Sequence, residues 1–384
     1  MNAIIVWMLL GAATIGAEPT PNGSSYPALP FGGMTLNYWA DSAADPVAKL
    51  KQRIATGEVT LAWDDHFGVL PTLLRELKIA PSSQVLKFAT GSPHQSITLG
   101  KPRAIYFRED VAIAWFPGTE QIEFAVQTPR KGTLFYSLVA TADAPPRWQR
   151  PQICLACHVG PNTGTNVPGW QLHVGVGRDA VRTRPWQNVL SHALPFEHRW
   201  GQAYVTWEPD ASLPSGKPLR ADQLPWKRET YPEATSDPAA LLVRDHWLLG
   251  MNLLTRWSFE HQLGQPRDET TVALVRYLLM SDEVSLPVPI PAETAFARVW
   301  QAEGKRDAEE HSLRDLELRT RTFRYAVSPL LLTAMVQEQP REMRLPLYRA
   351  IKQQLSNQRA PADAQRITET LEVLAATVPD WPAE

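Results

Sequence analysis

Cysteine is nearly absent from the 384-residue chain, which holds two, Cys154 and Cys157. Two thiols exclude a disulfide framework and a four-thiolate metal site. Long apolar runs are missing as well. The run from Ala3 to Ile15 is too short to cross a ~30 Å hydrocarbon core, and no later segment approaches the ~18 residues of a spanning helix. Neither sign of charge is in excess: 38 Lys and Arg stand against 40 Asp and Glu, a net charge of −2 with His neutral. That balance excludes a broad electrostatic footprint for nucleic acid or anionic lipid. There is no internal repeat, no low-complexity tract, no G-x-S-x-G, no H-E-x-x-H and no Gly-rich phosphate loop ahead of a helix.

What is present is a folding composition. Hydrophobic types make up 44%, with 14 Trp, 11 Phe and 9 Tyr, and the length suits two or three domains. The 34 prolines exceed the roughly 19 that average usage of ~5% would give, so long ordered loops and short elements are expected. The apolar run at the start ends in Gly16-Ala17 just before Glu18. Its length and its small-residue end fit a cleavable signal peptide over about residues 1–17, against the alternative of a buried N-terminal helix. The expectation is an exported chain, periplasmic or secreted, with no transmembrane anchor in its mature form.

Residues 18–45 read as an irregular leader. A domain with antiparallel strands follows over 46–150. It opens with helices at 46–56, started by Asp45-Pro46, and at about 68–78, where Leu70, Leu73, Leu74 and Leu77 share a face. Strand-like runs at 85–88, 104–107, 111–116, 122–126 and 133–136, separated by Gly, Pro, Asp or Asn, predict an antiparallel meander. Residues 151–235 are loop-rich, with strand-like runs at 171–176 and 203–207. From 236 the chain reads as helical. Ser236-Asp237-Pro238 caps a long apolar helix to about 263, and further helices are expected at 267–280, 292–303, 305–318, 329–338, 341–356 and 361–376. The fold class is therefore α+β, a small antiparallel sheet followed by a loop-rich segment and a mainly helical C-terminal half.

Both cysteines sit in Cys154-Leu155-Ala156-Cys157-His158, the C-x-x-C-H attachment signature of c-type haem. In a helical turn, residues three apart share a face, so both thiols can reach the vinyl groups of one porphyrin. His158 can then turn its imidazole to the iron as the proximal ligand. The rivals are weaker. A thioredoxin-like pair should end a strand in a βαβ unit, a zinc site needs further ligands, and a disulfide across two residues is strained. The cofactor expected is one haem c, covalent through Cys154 and Cys157.

For the sixth iron position the distal candidate is His246, in the middle of the long apolar helix. Gly250, one turn on, would leave space for a flat ring to approach. The alternative is a core histidine bonded to a carbonyl. Met251 lies on another face of that helix. His173 and His198 are further choices, and His66, His173 or His198 could serve as a polar distal group beside an open site. Arg147, Arg150, Arg178, Arg182, Arg184 and Arg199 cluster near the motif; they are either partners for haem propionates or solvated loop charges. Asp64-Asp65 beside His66 reads as a cap and turn before it reads as a metal site. Gly175-Val176-Gly177-Arg178 reads as a turn, and Arg314 to Arg321 as a salt-bridged exposed helical face.

The chain also resembles a family of exported bacterial proteins that contain a cytochrome c domain. The resemblance is carried by Leu70-Pro71-Thr72-Leu73-Leu74-Arg75, Ser82-Ser83-Gln84-Val85-Leu86 and Pro102-Arg103-Ala104-Ile105-Tyr106-Phe107. It continues through Cys154-Leu155-Ala156-Cys157-His158, Val167-Pro168-Gly169, Arg199-Trp200-Gly201 and Asp245-His246. Asn252-Leu253-Leu254-Thr255-Arg256 and Phe323-Arg324-Tyr325 complete it, so that it spans about 35–380. It implies haem attachment at Cys154, Cys157 and His158, and a histidine at the position of His246. It does not imply the compact helical fold of small soluble cytochromes c.

These readings lead to three expected functions. The first is electron transfer among redox partner proteins, since one haem motif stands without an evident acid–base group beside it and no catalytic residue is assigned. The second is a haem enzyme such as a peroxidase or small-molecule oxidase, which the size of the chain favours. The third is a haem-containing sensor or docking module.

Overall fold

The computed structural model describes residues 26–41, 45–88, 97–171, 189–200, 202–206, 217–220, 222–234, 236–357 and 363–383. The expected signal peptide, the run at 172–176, His173, the Gly175–Arg178 turn and Arg178, Arg182 and Arg184 lie outside the described residues. Residues 26–41 are irregular, as expected of the leader, and pack into the fold. Tyr38 is buried and its hydroxyl donates to the Thr133 carbonyl at 2.8 Å.

The meander forms as the closely spaced strand-like runs predict. Strands β1 (Val85–Lys87), β2 (Arg103–Phe107), β3 (Val111–Trp115), β4 (Gln121–Thr128) and β5 (Gly132–Val139) pair antiparallel in chain order. A sixth strand not expected from the sequence, β6 (Arg147–Gln149), adds to the edge of β5 with Ser137 opposite Gln149. Because side chains alternate across a strand, the register sorts the two faces. Tyr106, Ile113, Phe124 and Tyr136 line up across β2 to β5. They share a core with Val47 and Leu50 of α1 (Pro46–Ala55) and Leu70, Leu73 and Leu74 of α2 (Leu70–Glu76). On the other face Phe107, Ala112, Ala125 and Phe135 line up. Phe107 and Ala112 join the core around the helical half. Covering both faces explains why β5 is buried along almost its whole length. The run at 203–207 contains β7 (Tyr204–Thr206), which pairs parallel with β8 (Lys217–Leu219).

Beyond the short α3 (Leu155–His158), the helical half is built on α4 (Pro238–Gln262). The Asp237 carboxylate accepts from the Ala239 amide, and Pro238 fills the first turn, where a missing N–H costs nothing. The helix is buried nearly all round and crosses the second sheet face at the β4–β5 hairpin. There Gln127 Nε2 donates to Thr255 Oγ1 at 2.7 Å, and Thr133 Oγ1 donates to Gln127 Oε1 at 2.7 Å. Gly132, in the left-handed region at φ 63°, gives α4 its room, because a Cβ there would lie 2.4 Å from Thr255 Cγ2. Helices α5 (Asp268–Leu278), α6 (Ala295–Ala302), α8 (Arg341–Asn357) and α9 (Ala364–Thr377) form near the expected positions. No helix among the described residues is long and apolar enough to cross a membrane.

Three expectations fail in this half. The segment 305–318 is not helical. Its acidic side chains bind nearby amides and so compete with a helix: Asp307 Oδ1 accepts from the Glu309 and His311 amides, and Asp315 Oδ2 from that of Ser312. Glu317 caps the turn that follows, accepting from the amides of Arg319, Thr320 and Arg321. Nor is Arg314 exposed. It is buried over the Trp300 ring at 4.3 Å and paired with Glu109 and Glu303. The expected helix at 329–338 splits into a 3-10 turn, Pro329–Leu332, and a short α7 (Ala334–Gln337), with Thr333 extended between them.

Candidate haem-attachment site

Strand β6 delivers the chain to the C-x-x-C-H motif. A 3-10 turn (Gln152–Cys154) runs straight into α3, with Cys154 in helical conformation at its start. The two sulfurs therefore sit one turn apart on one face. Both are free thiols, Cys157 exposed and Cys154 half-buried. Burial, with help from the Glu123 carboxylate, pushes the Cys154 thiol up to about 11, so it is a neutral thiol at physiological pH. Ile153 is 77% exposed beside them, which leaves an apolar, thiol-bearing surface.

His158 is held by one ring nitrogen. Its Nδ1 lies 3.0 Å from the Gly169 carbonyl, and the Gly169 amide donates back to the His158 carbonyl at 2.9 Å. A carbonyl only accepts, so the shared proton sits on Nδ1 and the ring's lone pair on Nε2. Among the described residues no hydrogen bond engages Nε2. The ring packs on Phe135 of β5, with centroids 4.5 Å apart. Burial holds the imidazole below its ordinary value, against the Gly169 carbonyl and Glu123, which favour the charged form. A neutral imidazole oriented by a backbone carbonyl is the form that ligates a metal. Two free thiols one turn apart, an exposed apolar face and a free Nε2 fit a covalently attached haem.

The loop after the motif is tied to α4 by a residue to which the sequence reading gave no role of its own. Asn252 is fully buried. Its Oδ1 accepts from the Trp170 amide at 2.8 Å, and its Nδ2 donates to the carbonyls of Thr163 at 2.7 Å and Trp170 at 2.8 Å.

His246 sits in different surroundings. It is fully buried, and both of its ring nitrogens have partners: Nδ1 lies 2.8 Å from His192 Nδ1 and Nε2 lies 2.6 Å from Ser328 Oγ. Its ring stacks on Tyr277 at 5.0 Å and meets Phe323 edge-on at 5.4 Å, while the Tyr277 hydroxyl donates to the His246 carbonyl. Burial drives both histidines toward the neutral form, His192 to about 3 and His246 well below its ordinary value. The space expected beside Gly250 is filled. A Cβ there would lie 2.2 Å from Leu330 Cδ1 and 3.1 Å from Tyr277 Cε1, so this glycine admits protein side chains. The arrangement is that of a core histidine bonded to side chains, and to bind iron it would have to give up one of those two bonds.

The remaining candidates resolve simply. His66 and His198 are exposed. Asp64 Oδ1 accepts from the His66 and Phe67 amides, both at 2.8 Å, which is the cap-and-turn reading. Arg150 donates to the carbonyls of Tyr38, Trp39 and Ala40, and Arg199 is buried and bonded to those of His192 and Leu194. Arg147 is exposed. No family model matches the chain, and neither a curated protein nor a solved structure is similar to it.

Proposed function

We propose that this chain is an exported c-type cytochrome. It carries one haem on Cys154 and Cys157, takes His158 as the proximal ligand, and passes electrons among redox partner proteins. The observation that carries the reading is the His158 ring, fixed through Nδ1 by Gly169 with Nε2 free, next to two unpaired thiols. When bound, the haem would supply a one-electron iron couple. The protein's part is to hold and tune. The Gly169 carbonyl raises the basicity of the imidazole, and Phe135 fixes the plane of its ring. Glu123 faces the site and is paired with Arg103 at 3.4 Å, a poor arrangement for a mobile acid or base. His246 is not carried into this proposal, because both of its ring nitrogens have partners.

The test is the visible spectrum of protein matured in the periplasm, reduced, with and without carbon monoxide. A carrier keeps its α-band when carbon monoxide is added. A band that shifts at once marks a ligand-accessible iron and moves the reading to a haem enzyme.

A further inference from the structure

Asn252 lies on α4, more than 80 positions along the chain from the loop that it holds. Its three amide bonds reach two points of that loop, Thr163 and Trp170, and so anchor both ends of the stretch between them. Gly169 falls in that span. Its carbonyl meets His158 Nδ1 and its amide meets the His158 carbonyl. The glycine and the asparagine are fitted to each other, because a Cβ at 169 would lie 2.3 Å from Asn252 Oδ1. That glycine is required by close approach. Two further groups of α4 brace the same loop: Arg256 donates to the Thr165 carbonyl, and Phe259 packs with buried Val167.

From this geometry we infer that Asn252 is the positioning residue for His158. By pinning Trp170 it holds the Gly169 carbonyl at Nδ1. That keeps the imidazole proton there and presents an electron-rich Nε2 to the iron. The inference rests on the haem reading above. At ~100° per residue, Asn252 and His246 are six residues and about 240° apart on α4, so one helix serves two separate histidines. Partners that orient a metal-ligating histidine through its second nitrogen raise its basicity, and hydrogen bonding around a haem is one of the levers on its potential.

The experiment uses the full chain in two forms. In the unloaded Cys154→Ser, Cys157→Ser protein, imidazole nitrogen chemical shifts report the tautomer of His158. The inference expects the Nδ1–H form to dominate and Asn252→Ala to give a mixture. In the matured protein, Asn252→Ala should raise the midpoint potential, because a less electron-rich imidazole stabilises ferric iron less. Gly169→Ala leaves α4 untouched and carries the same two expectations should Asn252→Ala fail to fold. The double variant should fall short of the sum of the singles, since removing Asn252 Oδ1 makes room for the new methyl. A folded Asn252→Ala with the tautomer and potential of the parent overturns the inference. A tautomer that depends on Asn252 in a chain that never acquires haem upholds the positioning role and ends the cytochrome reading.

Discussion

His158 and His246 are both imidazoles in helical backbone, and their surroundings make them opposites. His158 has one nitrogen held by a backbone carbonyl and the other without a partner among the described residues, on a short helix that bears one exposed and one half-buried thiol. His246 has both nitrogens held by side chains, its ring stacked, and no exposure at all. A ring tied once is oriented for a ligand. A ring tied twice is a structural cross-link between α4, His192 and the turn that begins at Ser328. Burial keeps both neutral, so the difference lies in which lone pair is spoken for.

The sharpest way to break that comparison is His246→Ala. The substitution removes a stacked ring and strands the partners on His192 and Ser328, so a loss of about 3–5 kcal/mol is expected in denaturant unfolding. The visible spectrum of the matured protein should be unchanged. A shifted α-band in this variant would make His246 an iron ligand and dissolve the contrast. Acid acts on the same pair. The folded-state value of His192 lies at about 3 against an ordinary 6.5, so the unfolded chain binds more protons below that value. Stability is full above about pH 6.5 and drains as pH falls toward 3, and melting temperatures across that window would show it. In His246→Ala one of the two depressed imidazoles is gone, so the slope should flatten.

Gly250→Ala sharpens the comparison from the packing side. The new methyl meets Leu330 Cδ1 at 2.2 Å, so a cost of about 1–3 kcal/mol is expected. A neutral result would mean that the space is open after all. The smallest effect is expected far from both histidines. Asp64→Ala removes the bonds to the His66 and Phe67 amides and should cost about 0.5–2 kcal/mol, as capping losses do, with no change in metal content.

The parts of the fold that were legible are those in which local signals agree. The meander was readable because short runs rich in β-branched and aromatic residues, such as Ala104-Ile105-Tyr106-Phe107 and Val111 to Phe116, are broken at close intervals by turn residues. Helix α4 was readable because Asp237-Pro238 caps an apolar run. Strand β6 was not, since Arg147-Trp148-Gln149 is too short to alternate and exists only as an addition to the edge of β5. The helix expected at 305–318 failed because Asp307 and Asp315 bind nearby amides, which a tally of apolar spacing does not register. At the site, C-x-x-C-H spoke for itself. Asn252 did not, because a buried asparagine in a helix has no local signature, and its partners lie 82 and 89 positions away. Gly250 misled for a related reason. The sequence marks close approach there, and only the fold says that Leu330 is what approaches.

The central claim is that Cys154 and Cys157 carry a haem whose proximal ligand is His158. Intact-mass analysis of the chain matured in a periplasm with a working haem-attachment system tests it most directly, with Cys154→Ser, Cys157→Ser alongside. The parent should be red and heavier than its polypeptide by one haem, and the variant colourless at the mass of its amino acids alone. A colourless parent whose mass is that of the polypeptide would contradict the account.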